Sequence, residues 1–176
     1  LMPGCVLFSD EKNHASMIEG IRRGGSAKEI FRHNDLASLE EKLAKYPRET
    51  PKIIVFESVY SMDGHIAPLG PLCDLADRFG ALVLVDDCHA TGLIGPGGRG
   101  SGAFRGVESR IDMVTGTFGK ALGGAMGGFV AARRPVIDLL RQRARPYLFS
   151  NALAPSICGA SLAAIGQEMP NLPDIN

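Results

Sequence analysis

Three polar clusters follow short apolar runs in this chain, and between them they hold most of the side chains capable of chemistry. Glu57-Ser58 and Ser61-Met62-Asp63-Gly64 come after Ile53–Phe56. Asp86-Asp87-Cys88-His89 comes after Ala81–Val85. Thr115-Gly116-Thr117-Phe118-Gly119-Lys120 comes after Ile111–Val114. Taken singly, each has an ordinary explanation, because Asp and Ser shape turns and a lone Lys is usually surface charge. Taken together, they place an amine, carboxylates, an imidazole and hydroxyls at the ends of successive strands. Open α/β sheets bind their ligands beyond those ends.

An amine and a carboxylate so placed suit pyridoxal 5'-phosphate (PLP). That cofactor needs a lysine to condense with its aldehyde and an acid to keep its pyridine nitrogen protonated. Lys120 in its glycine-rich loop and Asp86 at the end of a buried run fill those roles. A carboxylate buried there is costly without a cationic partner. Other chemistries fit less well. Asp86, Asp87 and His89 are possible metal ligands, but adjacent strand residues point to opposite faces, so no metal site is expected. Gly116 to Lys120 resembles a phosphate-binding loop, yet Val114 and Ala121 break the required spacing. Gly95, Gly97 and Gly100 match a dinucleotide fingerprint only formally, since Pro96 and Gly98 make the stretch a loop. Cys88 beside His89 reads as a small buried residue rather than a thiol nucleophile. His14 is a cap or a ring-stacking residue, and His33 and His65 read as loop or surface histidines.

The elements that must position these groups alternate between strand-like runs and helix-period segments, the pattern of a layered α/β domain. Strands are expected at Val6–Phe8, Lys28–Phe31, Ile53–Phe56, Ala81–Val85, Ile111–Val114 and Phe129–Ala132. Ser16 to Glu19 reads as a capping box opening a helix, and Asp35 as the N-cap of a second helix with Leu36, Leu39 and Leu43 on one face. Glu41 and Lys45 are spaced to pair outside that helix. Pro71 suits the first turn of a third helix that Gly80 stops. Pro135 opens another, with Val136, Leu139 and Leu140 facing in.

The 176 residues suffice for one domain with a core, 45% of them are hydrophobic, and the formal net charge is zero. Neutrality argues against a nucleic-acid binder, and no apolar run reaches the ~20 residues that span a bilayer. Four scattered cysteines fit a reduced compartment, so the cytoplasm is expected, or the mitochondrial matrix in a eukaryote. Leu1 is not an initiator and Pro170–Asn176 has loop composition. The chain therefore reads as a fragment, with 165–176 a truncated, irregular tail.

At its polar clusters the chain resembles the α-oxoamine synthases, PLP-dependent acyltransferases of fold type I. The resemblance runs from Pro3 to Ala164. It is carried by Ser9-Asp10 with Asn13-His14-Ala15-Ser16, by Ser61-Met62-Asp63-Gly64, by Val85–Gly92 and by Gly116–Ala121. It implies an α/β fold, residues 1–164 being the central part of a PLP-binding large domain with a mostly parallel sheet flanked by helices. It also implies roles: Lys120 forms the Schiff base and moves the substrate α-proton, Asp86 pairs with the pyridine nitrogen, and His14 covers the ring. Ser61 and His89 lie near the phenolic oxygen, and Thr117 meets the phosphate. Ser150 and Asn151 reach the phosphate of a partner subunit's cofactor, implying a homodimer with a shared active site. Ala152 departs from the serine usual in the family.

Within the family, Asn13–Arg22, Phe31–Asp35 and Phe56–Gly64 are most similar to 5-aminolevulinate synthases. Asp86–Gly92, Gly123–Gly128 and Arg141–Asn151 are most similar to glycine C-acetyltransferases. The second set takes in the region of the lysine loop and the interface segment. The expected reaction is therefore condensation of glycine with acetyl-CoA to 2-amino-3-oxobutyrate and CoA. The alternative is succinyl-CoA as donor, giving 5-aminolevulinate. A noncatalytic subunit or inactive fragment of the same fold is a further alternative, against which the presence of Lys120 stands. The family's N-terminal phosphate loop and its carboxylate-binding arginine have no counterpart in these residues, so the 176 residues alone are expected to be inactive.

Overall fold

The computed structural model describes residues 3–123 and 126–166. The expected tail from residue 167 onward, and two residues of the Gly123–Gly128 stretch, lie outside that description. Six strands form one sheet: β1 (Val6–Asp10), β2 (Ala27–Phe31), β3 (Lys52–Glu57), β4 (Leu82–Asp86), β5 (Met113–Thr117) and β6 (Gly128–Ala132), in the order β2-β1-β3-β4-β5-β6. The first five are parallel and β6 runs antiparallel to β5. The helices are α1 (Ala15–Gly24), α2 (Leu36–Leu43), α3 (Leu69–Phe79), α4 (Ser101–Phe104), α5 (Arg134–Arg143), α6 (Arg145–Leu148) and α7 (Pro155–Ile165), with 3-10 turns at Pro96–Gly98 and Glu108–Arg110.

The period-two alternation of the central strands divides the core in two. Val6, Phe8, Ile54, Phe56, Val83 and Val85 pack with Leu39 and Leu43 of α2 and Leu69, Leu72 and Leu75 of α3. Leu7, Ile53, Val55 and Met113 pack on the other face with Ile21 and Met17 of α1 and Val136 of α5. Helices on both faces explain why the central strands read as continuous apolar runs rather than alternating ones. The sheet reverses direction of growth between β1 and β3, and that switch point is where open α/β sheets bind ligands.

Local chemistry sets the helix ends, with some differences from what the sequence predicts. The N-cap of α1 is His14 rather than Ser16, its Nδ1 accepting from the Ser16 N–H at 3.2 Å. Asp35 caps α2 as expected, accepting from the Ser38 N–H at 2.9 Å. Gly80 ends α3 in the left-handed region. Glu41 and Lys45 form no ion pair among the described residues; neighbouring Glu40 and Lys42 instead reach Arg78 and Glu29, partners that only tertiary packing supplies. Leu139 is 51% exposed although its spacing points it inward, and α5 has no fully buried residue.

Candidate active site

Asp86 and Asp87 are adjacent in sequence and separated in role. Asp86 is the last residue of β4, half-buried, with Oδ1 accepting from the Cys88 N–H at 3.1 Å. Strand alternation puts it on the α1 face of the sheet, with Leu84. Asp87 is buried, and its carboxylate is taken up by local structure. It accepts from Thr91 Oγ1 at 2.7 Å, from the Ser101 N–H at 3.3 Å and from the Ser101 hydroxyl. Gly100 packs so tightly on that carboxylate, at φ +92°, that a Cβ there would collide with it. Asp87 thus pins the Gly95–Gly100 loop to the end of β4, which explains those glycines without any dinucleotide.

Asp86 has two same-face neighbours in the parallel register, Glu57 on β3 and Thr115 on β5. Glu57 is buried, and burial pushes its pKa up; the Asp86 charge adds to that, while the His14 N–H, His14 and the Lys120 ammonium oppose it. His89 Nδ1 stands 4.0 Å from a Glu57 carboxylate oxygen. Burial, helped by the Lys120 charge, lowers the His89 pKa, so its imidazole is neutral near pH 7. The Cys88 thiol is pushed up to about 12 by burial and by its hydrogen bond to Asp86. A thiol held protonated is no nucleophile, in keeping with the expectation from sequence. Glu57, Cys88 and His89 all feel the Lys120 charge from across the carboxyl edge of the sheet.

The lysine loop is built locally. Thr117 Oγ1 accepts from the Gly119 N–H at 3.1 Å and donates to the Gly127 carbonyl at 3.2 Å, closing the turn on which exposed Lys120 sits. Leu122 anchors the loop's far end in the core, against Gly92 at φ +83°, where a Cβ would come within 3.0 Å of the leucine. Thr117 is therefore engaged in shaping the loop in addition to its expected phosphate role.

A cleft of about 420 Å³ opens beyond β1 and β3, lined by Asn13, His14, Glu57, Tyr60, Ser61 and Asp63. Asn13 clamps the switch point, its Nδ2 donating to Ser9 Oγ at 2.9 Å and to the Val55 carbonyl at 2.8 Å. His14 and Ser61 are exposed at the cleft, and Lys120, Asp86, His89, His14 and Ser61 thus share the carboxyl edge of the sheet. Ser150 and Asn151 are not brought to that group. They are exposed on the connection between α6 and α7, and among the described residues the Ser150 hydroxyl bonds only to the neighbouring Asn151 carbonyl.

Sequence reasoning missed Glu57 and Asn13 as site residues. Glu57 had a readable signal, an acid ending a wholly apolar strand, but its pairing with Asp86 depends on register. The reading of His33 and His65 as unrelated loop histidines is corrected. Their ring nitrogens Nε2 and Nδ1 lie 3.0 Å apart, because the turn after β3 folds back over the residues following β2.

The site suits a cofactor with a cationic ring nitrogen and an electrophilic carbon. An acid such as Asp86 would suit the first requirement and an amine such as Lys120 the second. Thr115 Oγ1, on the Asp86 face, is buried without a hydrogen-bond partner, so polar capacity remains beside that carboxylate. Sheet, helices and lysine-bearing carboxyl edge define the large domain of a fold-type I transferase. The chain belongs to the aminotransferase class I and II family, whose model matches residues 1–174, and within it to the α-oxoamine synthases.

Several relatives mark that branch. The mitochondrial 5-aminolevulinate synthase of Yarrowia lipolytica is 46% identical over 187 residues, covering 98% of this chain and 33% of that protein. Human mitochondrial 2-amino-3-ketobutyrate coenzyme A ligase is 48% identical over 165 residues, covering 94% of this chain and 39% of that protein. Among solved structures, the serine palmitoyltransferase of S. paucimobilis superposes with a TM-score of 0.89 at 39% identity, covering 95% of this chain and 43% of that one. The chain thus spans well under half the length of these relatives. No helix among the described residues is long and apolar enough to cross a membrane.

Proposed function

We propose that this chain is the cofactor-binding core of a PLP-dependent enzyme that condenses glycine with an acyl-CoA. The observation that supports the proposal is the set of polar groups at the carboxyl edge of the sheet, with Glu57 and Asp86 side by side in register and the Lys120 charge felt at Glu57 and His89. When bound, PLP supplies the electron sink that stabilises negative charge at the amino acid Cα. The Lys120 amine holds the cofactor and takes the proton leaving that carbon. The Asp86 carboxylate holds a proton on the pyridine nitrogen, where a charge-assisted hydrogen bond is strong. Neutral His89, beside Glu57, and Ser61 offer hydrogen bonds to the ring's phenolic oxygen. His14 serves the ring face and Thr117 the phosphate. Ser150 and Asn151, exposed in this chain, would serve the cofactor phosphate of a second copy in a homodimer.

For the acyl donor we infer succinyl-CoA, so that glycine and succinyl-CoA give 5-aminolevulinate, CO2 and CoA. This reverses the preference for acetyl-CoA drawn from the sequence. The relatives named above include both kinds of enzyme, but 5-aminolevulinate synthases recur among them, from Bradyrhizobium diazoefficiens at 49% identity to Gallus gallus at 50%. The Arg141–Asn151 run favours acetyl-CoA as the second reading. Glycine-dependent release of CoA thiol, measured on the full-length protein with each donor, separates them. Turnover with succinyl-CoA is the expected result, turnover with acetyl-CoA alone reverses the donor assignment, and turnover with neither removes the proposal.

A further inference from the structure

Beside the cleft that Asp63 shares with Glu57 and His14, a second cluster of side chains meets. His33 follows β2, and Asp63 and His65 lie on the turn after β3 that the Val59–Ile66 bridge closes. Their ligating atoms all lie within 4.8 Å of one another. His33 Nε2 faces His65 Nδ1 at 3.0 Å, and Asp63 Oδ2 lies 3.4 Å from that same Nδ1. An ion held tetrahedrally by bonds of about 2.05 Å sets its ligand atoms about 3.3 Å apart. The observed spacings bracket that figure.

The histidine is also prepared for such a role. Asp10, whose side chain is 1% exposed, accepts from the Lys12 N–H at 2.9 Å and the Asn34 N–H at 3.0 Å. Its Oδ1 lies 3.0 Å from His33 Nδ1. With Nδ1 donating to that carboxylate, the Nε2 lone pair faces His65 Nδ1 and, at 3.3 Å, Asn34 Nδ2, which an ion would displace. A buried carboxylate that orients a histidine in this way is the usual outer partner of a metal-binding imidazole. The Tyr60 ring, edge-on to His33 at 4.4 Å, fixes the same orientation from the side.

We propose that His33, Asp63 and His65 bind a divalent transition-metal ion of the zinc class, with Asp10 as the outer carboxylate that orients His33. Two imidazoles and a carboxylate select zinc, nickel or copper over magnesium or calcium, which prefer all-oxygen sites. His65, its side chain 56% exposed, leaves the fourth position open to water. Lys12 Nζ sits 2.7 Å from Asp63 Oδ2. The ion would replace that ammonium, and occupancy would pin the turn that carries Ser61 into the cleft.

The test is zinc titration of the PLP-loaded, full-length protein by calorimetry, with cobalt as a spectroscopic stand-in. One equivalent of zinc should bind at micromolar or tighter affinity, with magnesium in large excess failing to compete, and cobalt should give the intense visible absorption of a four-coordinate site. His65→Ala should weaken binding at least tenfold while leaving PLP absorption unchanged. Lys12→Met, which frees Asp63, should tighten it. His33→Ala removes a partner of buried Asp10 and risks misfolding, so His65→Ala and Lys12→Met are the decisive variants. Absence of saturable zinc binding by the wild type, or zinc affinity unchanged in His65→Ala, overturns the proposal.

Discussion

Glu57 and Asp86 are direct register partners on adjacent parallel strands, so their carboxylates leave the sheet side by side on one face. Burial raises the pKa of Glu57, and the like charge of Asp86 adds to that rise. Asp86 is only half-buried. A cationic ring nitrogen beside Asp86 would relieve the repulsion that the pair otherwise carries.

Lys120 should be the residue modified when the PLP-loaded, full-length protein is reduced with borohydride. Peptide mapping should find the pyridoxyl group there, and Lys120→Ala should abolish both labelling and turnover. Label on another lysine would overturn the assignment.

Asp86→Asn should retain some cofactor and lose most glycine deprotonation, because an amide cannot stabilise the protonated ring nitrogen. Loss of one hydrogen bond to a charged group costs roughly 1.5–3 kcal/mol, or about 10- to 160-fold in rate. Exchange of the glycine α-hydrogen with deuterium in water reports this step directly, and exchange at the wild-type rate would contradict the role.

Glu57 ties stability to pH in a direction fixed by its raised pKa. A carboxyl whose folded pKa lies above its unfolded value contributes stability that is full below the unfolded pKa. That contribution is lost as pH rises through the folded pKa. Glu57→Gln keeps the shape without the charge, so the PLP-free variant should be more stable than wild type at neutral pH and converge with it in acid. Thermal unfolding followed from about pH 4 to pH 8 measures the difference. A variant less stable at neutral pH would show that Glu57 is held by a favourable charge partner instead.

Asp87→Ala should destabilise without touching the chemistry. It leaves the Ser101 N–H, Ser101 hydroxyl and Thr91 hydroxyl without their acceptor, at a cost of about 1.5–3 kcal/mol. Gly100→Ala should be comparably harmful, since its backbone conformation and the adjacent carboxylate both reject a Cβ. Urea denaturation of each variant checks this. A wild-type midpoint for both would mean that the loop is not anchored through Asp87.

By itself the sequence determined the layered α/β class, all six strands and the Asp35 and Gly80 helix ends. These follow from short-range chemistry: a strand covered on both faces must be apolar throughout, and caps are made by residues a few positions apart. Lys120 and Asp86 stood out as candidates for a similar reason, Asp86 ending a buried apolar run and Lys120 lying in the glycine-rich loop beyond the next one. Tertiary structure alone decided what depends on register and on loops meeting in space. Glu57 became the neighbour of Asp86 only when β3 paired with β4. His33 and His65, 32 positions apart, came within 3.0 Å only when the turn after β3 closed over the end of β2. Asp87 and Ser101 likewise met only because the glycine loop folds back on β4. The outward turn of Leu139 has the same origin: helical spacing places it on an apolar stripe, but whether a stripe is buried depends on what packs against it, and pattern alone carries no record of that.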